Sequence, residues 1–210
     1  MAPNGFDLEK IRSEFTAALH EDGTIDLDHY LCGHCEITRL LSLLGTVFGF
    51  VASDMKHKCN IIDGHREDHP EEFTTVQTMI DYEMRENLTA RKDEKGRDSG
   101  CRTFLRLHRA LEFFCVLLKR LKPAKGTDPT STLTSKTYGE TLGKYHPWFV
   151  RQMAYLAIKT LPNKQQLIHR YCLQDAEEAQ ALVILSLQAM EVVYDKTQDI
   201  LAHHDLLNLP

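Results

Sequence analysis

The sequence has a single tryptophan among its 210 residues and lacks the features that mark several large classes of protein. No stretch is apolar for long enough to span a bilayer. The longest run free of formal charge, Leu40 to Ser53, is interrupted by Gly45 and Gly49 and falls short of the ~18 residues required. Any membrane contact should therefore be peripheral. The opening MAPNGFDLEKIRSEF has neither a basic leader ahead of an apolar core nor a glycine after Met1, so neither a secretory signal nor a myristoyl anchor is expected. A basic excess is also missing. The 25 Lys and Arg against 30 Asp and Glu give a net charge of −5, which argues against a nucleic-acid partner and confines any anion site to a local patch.

Six cysteines in such a chain read as reduced thiols in the cytosol and not as a disulfide framework. Cys32 and Cys35 form a lone C-x-x-C around His34, with no second pair at a zinc-site spacing, so packing is their expected role and no metal is expected. No G-x-S-x-G elbow, phosphate-binding glycine loop or defensible pair of catalytic carboxylates occurs, so the chain is expected to be a non-enzyme that works without a cofactor. Strand signals are scarce too, since few β-branched residues alternate with polar ones.

What is present is helical periodicity, with apolar residues recurring at threes and fours. The pattern predicts an all-α protein with helices over 6–20, 27–44, 46–64, 70–91, 99–122, 130–143, 147–160, 163–173 and 176–203, some of which could merge to leave about eight. The hydrophobic content of 42% suffices for one sizeable core, so residues 1–210 are expected to form a single domain. Asp175 with Glu178 suggests a capping box for the last helix, and Asn163 suits an N-cap. The stretches 92–100 and 122–132, rich in charge, Gly, Pro, Ser and Thr, read as loops.

Two of these helices carry an apolar stripe that runs into a polar one, and the first of them is apolar on two sides. In GCRTFLRLHRALEFFCVLLKRL, Arg102, Arg106 and Arg109 fall within about 60° of one another at ~100° per residue, and Phe113 and Leu117 continue that face. Phe104, Leu107, Leu111, Phe114 and Leu118 take the opposite side, which would satisfy an ordinary core. Stacked arginines with no carboxylate in view call for an anion or for distant acids, and arginine suits bidentate phosphate recognition. The helix over 46–64 repeats the arrangement, with Val47, Phe50 and Val51 sharing a face with Asp54 and Lys58. A solvated arginine face and an ordinary surface Asp–Lys pair, worth about 0.3–0.5 kcal/mol, remain the plain alternatives. The two helices together favour an amphiphile with an anionic head. His146, just before a helix that Pro147 helps to start, could meet a carbonyl or phosphate, or simply cap the helix. Trp148 suits a membrane interface or a core equally.

Asp54-x-x-x-Lys58, the arginine run within GCRTFLRLHRAL, and Tyr145-His146-Pro147-Trp148 together resemble the glycolipid transfer protein superfamily, from the first helix to Leu206-Leu207-Asn208-Leu209-Pro210. Within it the chain looks closest to members that carry ceramide-1-phosphate. The resemblance implies a two-layer helical sandwich that encloses a tunnel for hydrocarbon chains below a surface cavity for the headgroup. It also implies residue roles. Asp54 would bind the ceramide amide nitrogen and His146 the amide carbonyl, while Lys58, Arg102 and Arg106 would hold the phosphate. Arg109 would support the site by orienting Asp54. Phe50, Phe113, Leu142 and Phe149 would line the tunnel and Trp148 would dock on membranes.

Sugar-binding members of the superfamily carry a stacking Trp where Arg106 stands and an Asn where Lys58 stands, so the resemblance implies a phosphate headgroup. Phe113 departs from the pattern, which has Trp there. The expected activity is transfer of ceramide-1-phosphate by a cytosolic monomer in reversible contact with the Golgi, plasma membrane or other cytosolic membrane faces. A glycosphingolipid carrier, and a lipid sensor that moves nothing, stay open as alternatives.

Overall fold

The computed structural model describes residues 5–210, which form nine α-helices and three 3₁₀ turns and contain isolated bridges but no strand among the described residues. The helices are α1 (Leu8–Ala18), α2 (Leu27–Leu43), α3 (Gly49–Asp68), α4 (Val76–Arg85), α5 (Gly100–Leu121), α6 (Thr130–Glu140), α7 (Trp148–Ile158), α8 (Lys164–Tyr171) and α9 (Ala176–His203). Each expected segment holds one of them, and none has merged. They stack as a two-layer sandwich in which α5 meets α9 on one side and α3, α4 and α6 on others, while α1 packs on α2 and α9.

Most starts are fixed by side chains that accept the orphan N–H groups of a first turn. Asp7, Asp26, Ser99 and Asp175 cap α1, α2, α5 and α9. Asn163 and Gln166 form a reciprocal capping box on α8. Asp175 caps Glu177 and Glu178 without the return bond that a full box needs.

Three segments differ most from the sequence reading. The segment expected over 46–64 opens as a 3₁₀ turn (Thr46–Phe48) after Gly45, whose φ of 96° interrupts the helix. At its other end α3 runs through Gly64 to Asp68, and the Arg97 guanidinium packs against Gly64, 2.5 Å from where a Cβ would stand. The segment 70–91 shrinks to α4, which starts at a Thr75–Thr78 capping box and stops before Asn87, whose φ is 56°. The segment 130–143 is α6 followed by a separate 3₁₀ turn, Leu142–Lys144.

The main core joins α1, α2, α5 and α9, with Phe15, Tyr30, Phe104 and Leu107 fully buried. A smaller cluster of Phe113, Tyr138, Ala154 and Ile158 connects α5, α6 and α7. The foot of α5 is seated firmly. The buried Glu83 carboxylate of α4 accepts from the Gly100 N–H (2.5 Å) and the Cys101 N–H (2.9 Å). A Cβ on Gly100 would lie 2.6 Å from the Phe73 ring, so only glycine fits. No helix among the described residues is long and apolar enough to cross a membrane.

Candidate functional site

A cavity of about 660 Å³ opens between α3, α5, α6 and α7. Most of its wall is apolar and includes Leu41, Phe48, Phe50, Phe113, Leu117 and Leu142. Asp54 and Lys58 join it from α3, Arg106 and Arg109 from α5, and Tyr145 and His146 from the turn before α7. Helical spacing explains the convergence, because Asp54 and Lys58 lie one turn apart on the face begun by Phe50 and Val51, as Arg106 and Arg109 do on the face continued by Phe113 and Leu117. A polar group within an apolar wall is costly unless paired, and each of these side chains has a partner.

Lys58 pairs with Asp54. Its side chain is only 15% exposed whereas that of Asp54 is 58% exposed, so the lysine side chain is the more buried of the two. Arg106 donates from Nη1 to Asp98 Oδ2 at 2.7 Å. Arg102 stands outside the cavity wall, where its Nε donates to the Pro210 carbonyl (2.5 Å) and its Nη1 lies 3.5 Å from Asp98 Oδ1. Asp98 is thus the carboxylate that the sequence reading did not find. It sits one helical turn before Arg102, a spacing that could have revealed it.

Arg109 donates from Nη2 to the Leu207 carbonyl (2.9 Å), and its guanidinium lies 3.9 Å from the centre of the Tyr145 ring. The expected partner, Asp54, is held by Lys58 instead. Burial pushes the His146 imidazole below its ordinary pKa, nearby Asp54 opposes the shift and Lys58 adds to it, so the ring is neutral at pH 7. His146 Nδ1 lies 2.8 Å from Tyr138 Oη. Burial raises the Tyr138 phenol to about 12, so it keeps its proton. A phenol that donates to Nδ1 leaves the imidazole proton on Nε2, free to be donated to a carbonyl. Tyr138 carries no such signal in the sequence, and Tyr145 stands there only as the first residue of the motif that includes His146.

Phe113, Leu142 and Phe50 line the cavity, but Phe149 does not. It is 67% exposed beside Trp148 at 70%, because helical spacing groups these two with Met153 and Leu156 on one face of α7 and turns Val150, Ala154 and Ile158 toward the cavity. At another part of the wall, the Lys164 ammonium donates to the Lys122 and Ala124 carbonyls, both at 3.1 Å. The arrangement suits an amphiphile: cations, a carboxylate and a neutral imidazole for a polar head, and an apolar chamber for hydrocarbon.

A family profile described as Glycolipid transfer protein (GLTP) matches residues 25–173. The ceramide-1-phosphate transfer protein of Xenopus laevis is 35% identical over 210 residues, covering 98% of this chain and 97% of the relative. Among solved structures, the lipid-free mouse ceramide-1-phosphate transfer protein superposes with a TM-score of 0.89 at 35% identity, over 98% of this chain and 100% of the other. The human ceramide-1-phosphate transfer protein in complex with 12:0 ceramide-1-phosphate superposes at 0.88 with 32% identity and the same coverage. A similarity that extends over nearly every residue, together with the shared helical sandwich, shows that the chain belongs to the glycolipid transfer protein family.

Proposed function

We propose that the protein binds ceramide-1-phosphate and carries it between membranes without vesicles, with residues 1–210 acting as one domain. The observation that carries this reading is the cavity itself, in which Lys58 and Arg106 stand on an otherwise apolar wall. A phosphate wants cations, whereas a sugar wants an aromatic plane and neutral partners, and neither Lys58 nor Arg106 offers those. The relatives named for ceramide-1-phosphate support the same headgroup.

In this reading Lys58 and Arg106 hold the phosphate from the cavity, with Arg102 reaching it from the edge. Asp54 accepts from the ceramide amide N–H and His146 donates from Nε2 to the amide carbonyl. Arg109 supports the site through Tyr145 and the Leu207 carbonyl. Reading the amide distinguishes ceramide-1-phosphate from phosphatidic acid, which has the charged group but no amide. No bond is made or broken. The work is to shield hydrocarbon, at ~0.8 kcal/mol per buried CH₂, while protein contacts replace interfacial ones. The exposed Trp148, with its apolar neighbours on α7, suits weak and reversible docking of a monomer on cytosolic membrane faces, those of the Golgi and plasma membrane among them.

Vesicle-to-vesicle transfer of fluorescent ceramide-1-phosphate and of galactosylceramide tests the reading. Transfer of the phosphate lipid alone is expected. Transfer of the sugar lipid alone would establish a glycosphingolipid carrier, and tight binding without transfer would establish a sensor.

A further inference from the structure

The three cations at the polar end of the cavity, Lys58, Arg106 and Arg109, each have an internal acceptor. Lys58 has Asp54, Arg109 has the Leu207 carbonyl, and Arg106 has Asp98. Asp98 differs from the other two acceptors because one carboxylate serves several cations. Its Oδ2 lies 2.7 Å from Arg106 Nη1, while its Oδ1 lies 3.5 Å from Arg102 Nη1 and 3.7 Å from Lys92 Nζ. Of these four residues only Arg106 lines the cavity. The acid therefore holds the cavity-facing guanidinium from outside the wall.

Asp98 has little freedom to retreat. His65 Nε2 donates to its carbonyl at 3.0 Å, a bridge ties it to Lys92, and the next residue, Ser99, caps α5 while donating its hydroxyl to the Thr89 carbonyl at 2.6 Å. Burial opposes ionisation of the carboxyl, but the Arg106 hydrogen bond and the charges of Arg102, Arg106 and Lys92 outweigh it and hold the pKa below the usual range, so the group is an anion at neutral pH. A phosphate that reaches Arg106 must approach this fixed anion. It then either takes the guanidinium away from Asp98 or shares it against the repulsion of two like charges in a partly desolvated place.

We infer that Asp98 is the counter-anion against which a lipid phosphate competes for Arg106, and that it thereby weakens lipid retention and speeds release. The inference rests on the reading that Arg106 takes the phosphate. A carrier has to surrender its cargo, and Asp98 recaptures the guanidinium as the phosphate leaves.

The test uses the full chain with Asp98→Asn, which keeps the side-chain shape and removes the charge. Fluorescent ceramide-1-phosphate should bind about tenfold more tightly and leave for acceptor vesicles more slowly, while ceramide without phosphate binds as before. A purely structural role for Asp98 would loosen the arginines and weaken binding, so unchanged or weaker phosphate-lipid binding overturns the inference. Arg106→Leu is measured in parallel. If that variant keeps its phosphate-lipid affinity, the headgroup reading itself fails; if it loses affinity while Asp98→Asn gains none, only the role of Asp98 fails. Should Asp98→Asn not fold, carbon-13 NMR of the wild-type Asp98 carboxyl decides. Its titration midpoint should rise when ceramide-1-phosphate is bound, and an unmoved midpoint overturns the inference.

Discussion

The two sides of α5 live in opposite surroundings. On one, Phe104 and Leu111 are wholly buried in the main core, where Tyr30 lies 4.7 Å from Phe104 between ring centres. On the other, Arg106, Ala110, Phe113 and Leu117 face an open chamber bordered by the satellite cluster and by the edge of the main core at Leu41, Phe48 and Met55. One helix thus serves as a load-carrying beam and as the wall of an adaptable space. The sealed side can resist changes in packing because its neighbours fill it to crystal-like density. The open side leaves part of its apolar surface for an occupant to cover.

Phe104→Ala should open a void in the sealed side and cost about 3–5 kcal/mol of folding stability in denaturant titrations. A cost as small as that of an open-side change would break the comparison. Acid should probe the same side. His108 is buried between α5 and α9, where its Nε2 lies 2.7 Å from Gln198 Oε1, its Nδ1 lies 2.9 Å from the Thr197 hydroxyl and its ring stacks on Tyr194. Burial lowers its pKa from 6.5 to about 4. The unfolded chain takes up the proton as pH falls through 6.5 while the native ring refuses it until about 4, so stability is lost across that window. The loss approaches ~3 kcal/mol at its lower end, and a His108→Gln variant should show a flatter pH dependence in thermal melts.

On the open side the large effects should concern the ligand and not the fold. Arg106→Leu should lower phosphate-lipid affinity by about ten- to a hundredfold, the equivalent of ~1.5–3 kcal/mol for a lost charge-assisted bond, with far-ultraviolet circular dichroism and melting temperature nearly unchanged. Phe113→Ala, which enlarges a space that already exists, should cost about 1–2 kcal/mol in the same denaturant titrations as Phe104→Ala. Trp148→Ala should change stability by less than about 0.5 kcal/mol and show itself only as weaker partition onto vesicles.

Much of this division is legible in the sequence, because a helix with apolar residues all round must bury both sides, and α3 and α5 are conspicuous for a polar stretch within one of them. Helix ends were less legible where backbone conformation decides them, as at Gly45 and Asn87. The site divides similarly. Periodicity pairs Asp54 with Lys58 and Arg106 with Arg109, and it also turns Phe149 outward with Trp148. Contacts across turns leave no periodic trace, so the Tyr138 phenol behind His146 and the Leu207 carbonyl behind Arg109 appear only in three dimensions. Asp98 lies between the two cases, since its spacing from Arg102 is readable but its shorter bond is to Arg106, two turns on.

The seating of Gly100 against Phe73 and Glu83 turns α5 into a ruler. With the zero mark fixed at that glycine, a rise of ~1.5 Å per residue puts Arg106 about 9 Å along the scale and Phe113 about 10 Å beyond it, so the gap between the charged and greasy zones is measured out in backbone and not left to side-chain flexibility. A single residue inserted between Gly100 and Arg106 would lengthen the scale only slightly, but it would swing every later mark by ~100°, carrying Arg106 from the chamber toward the sealed core.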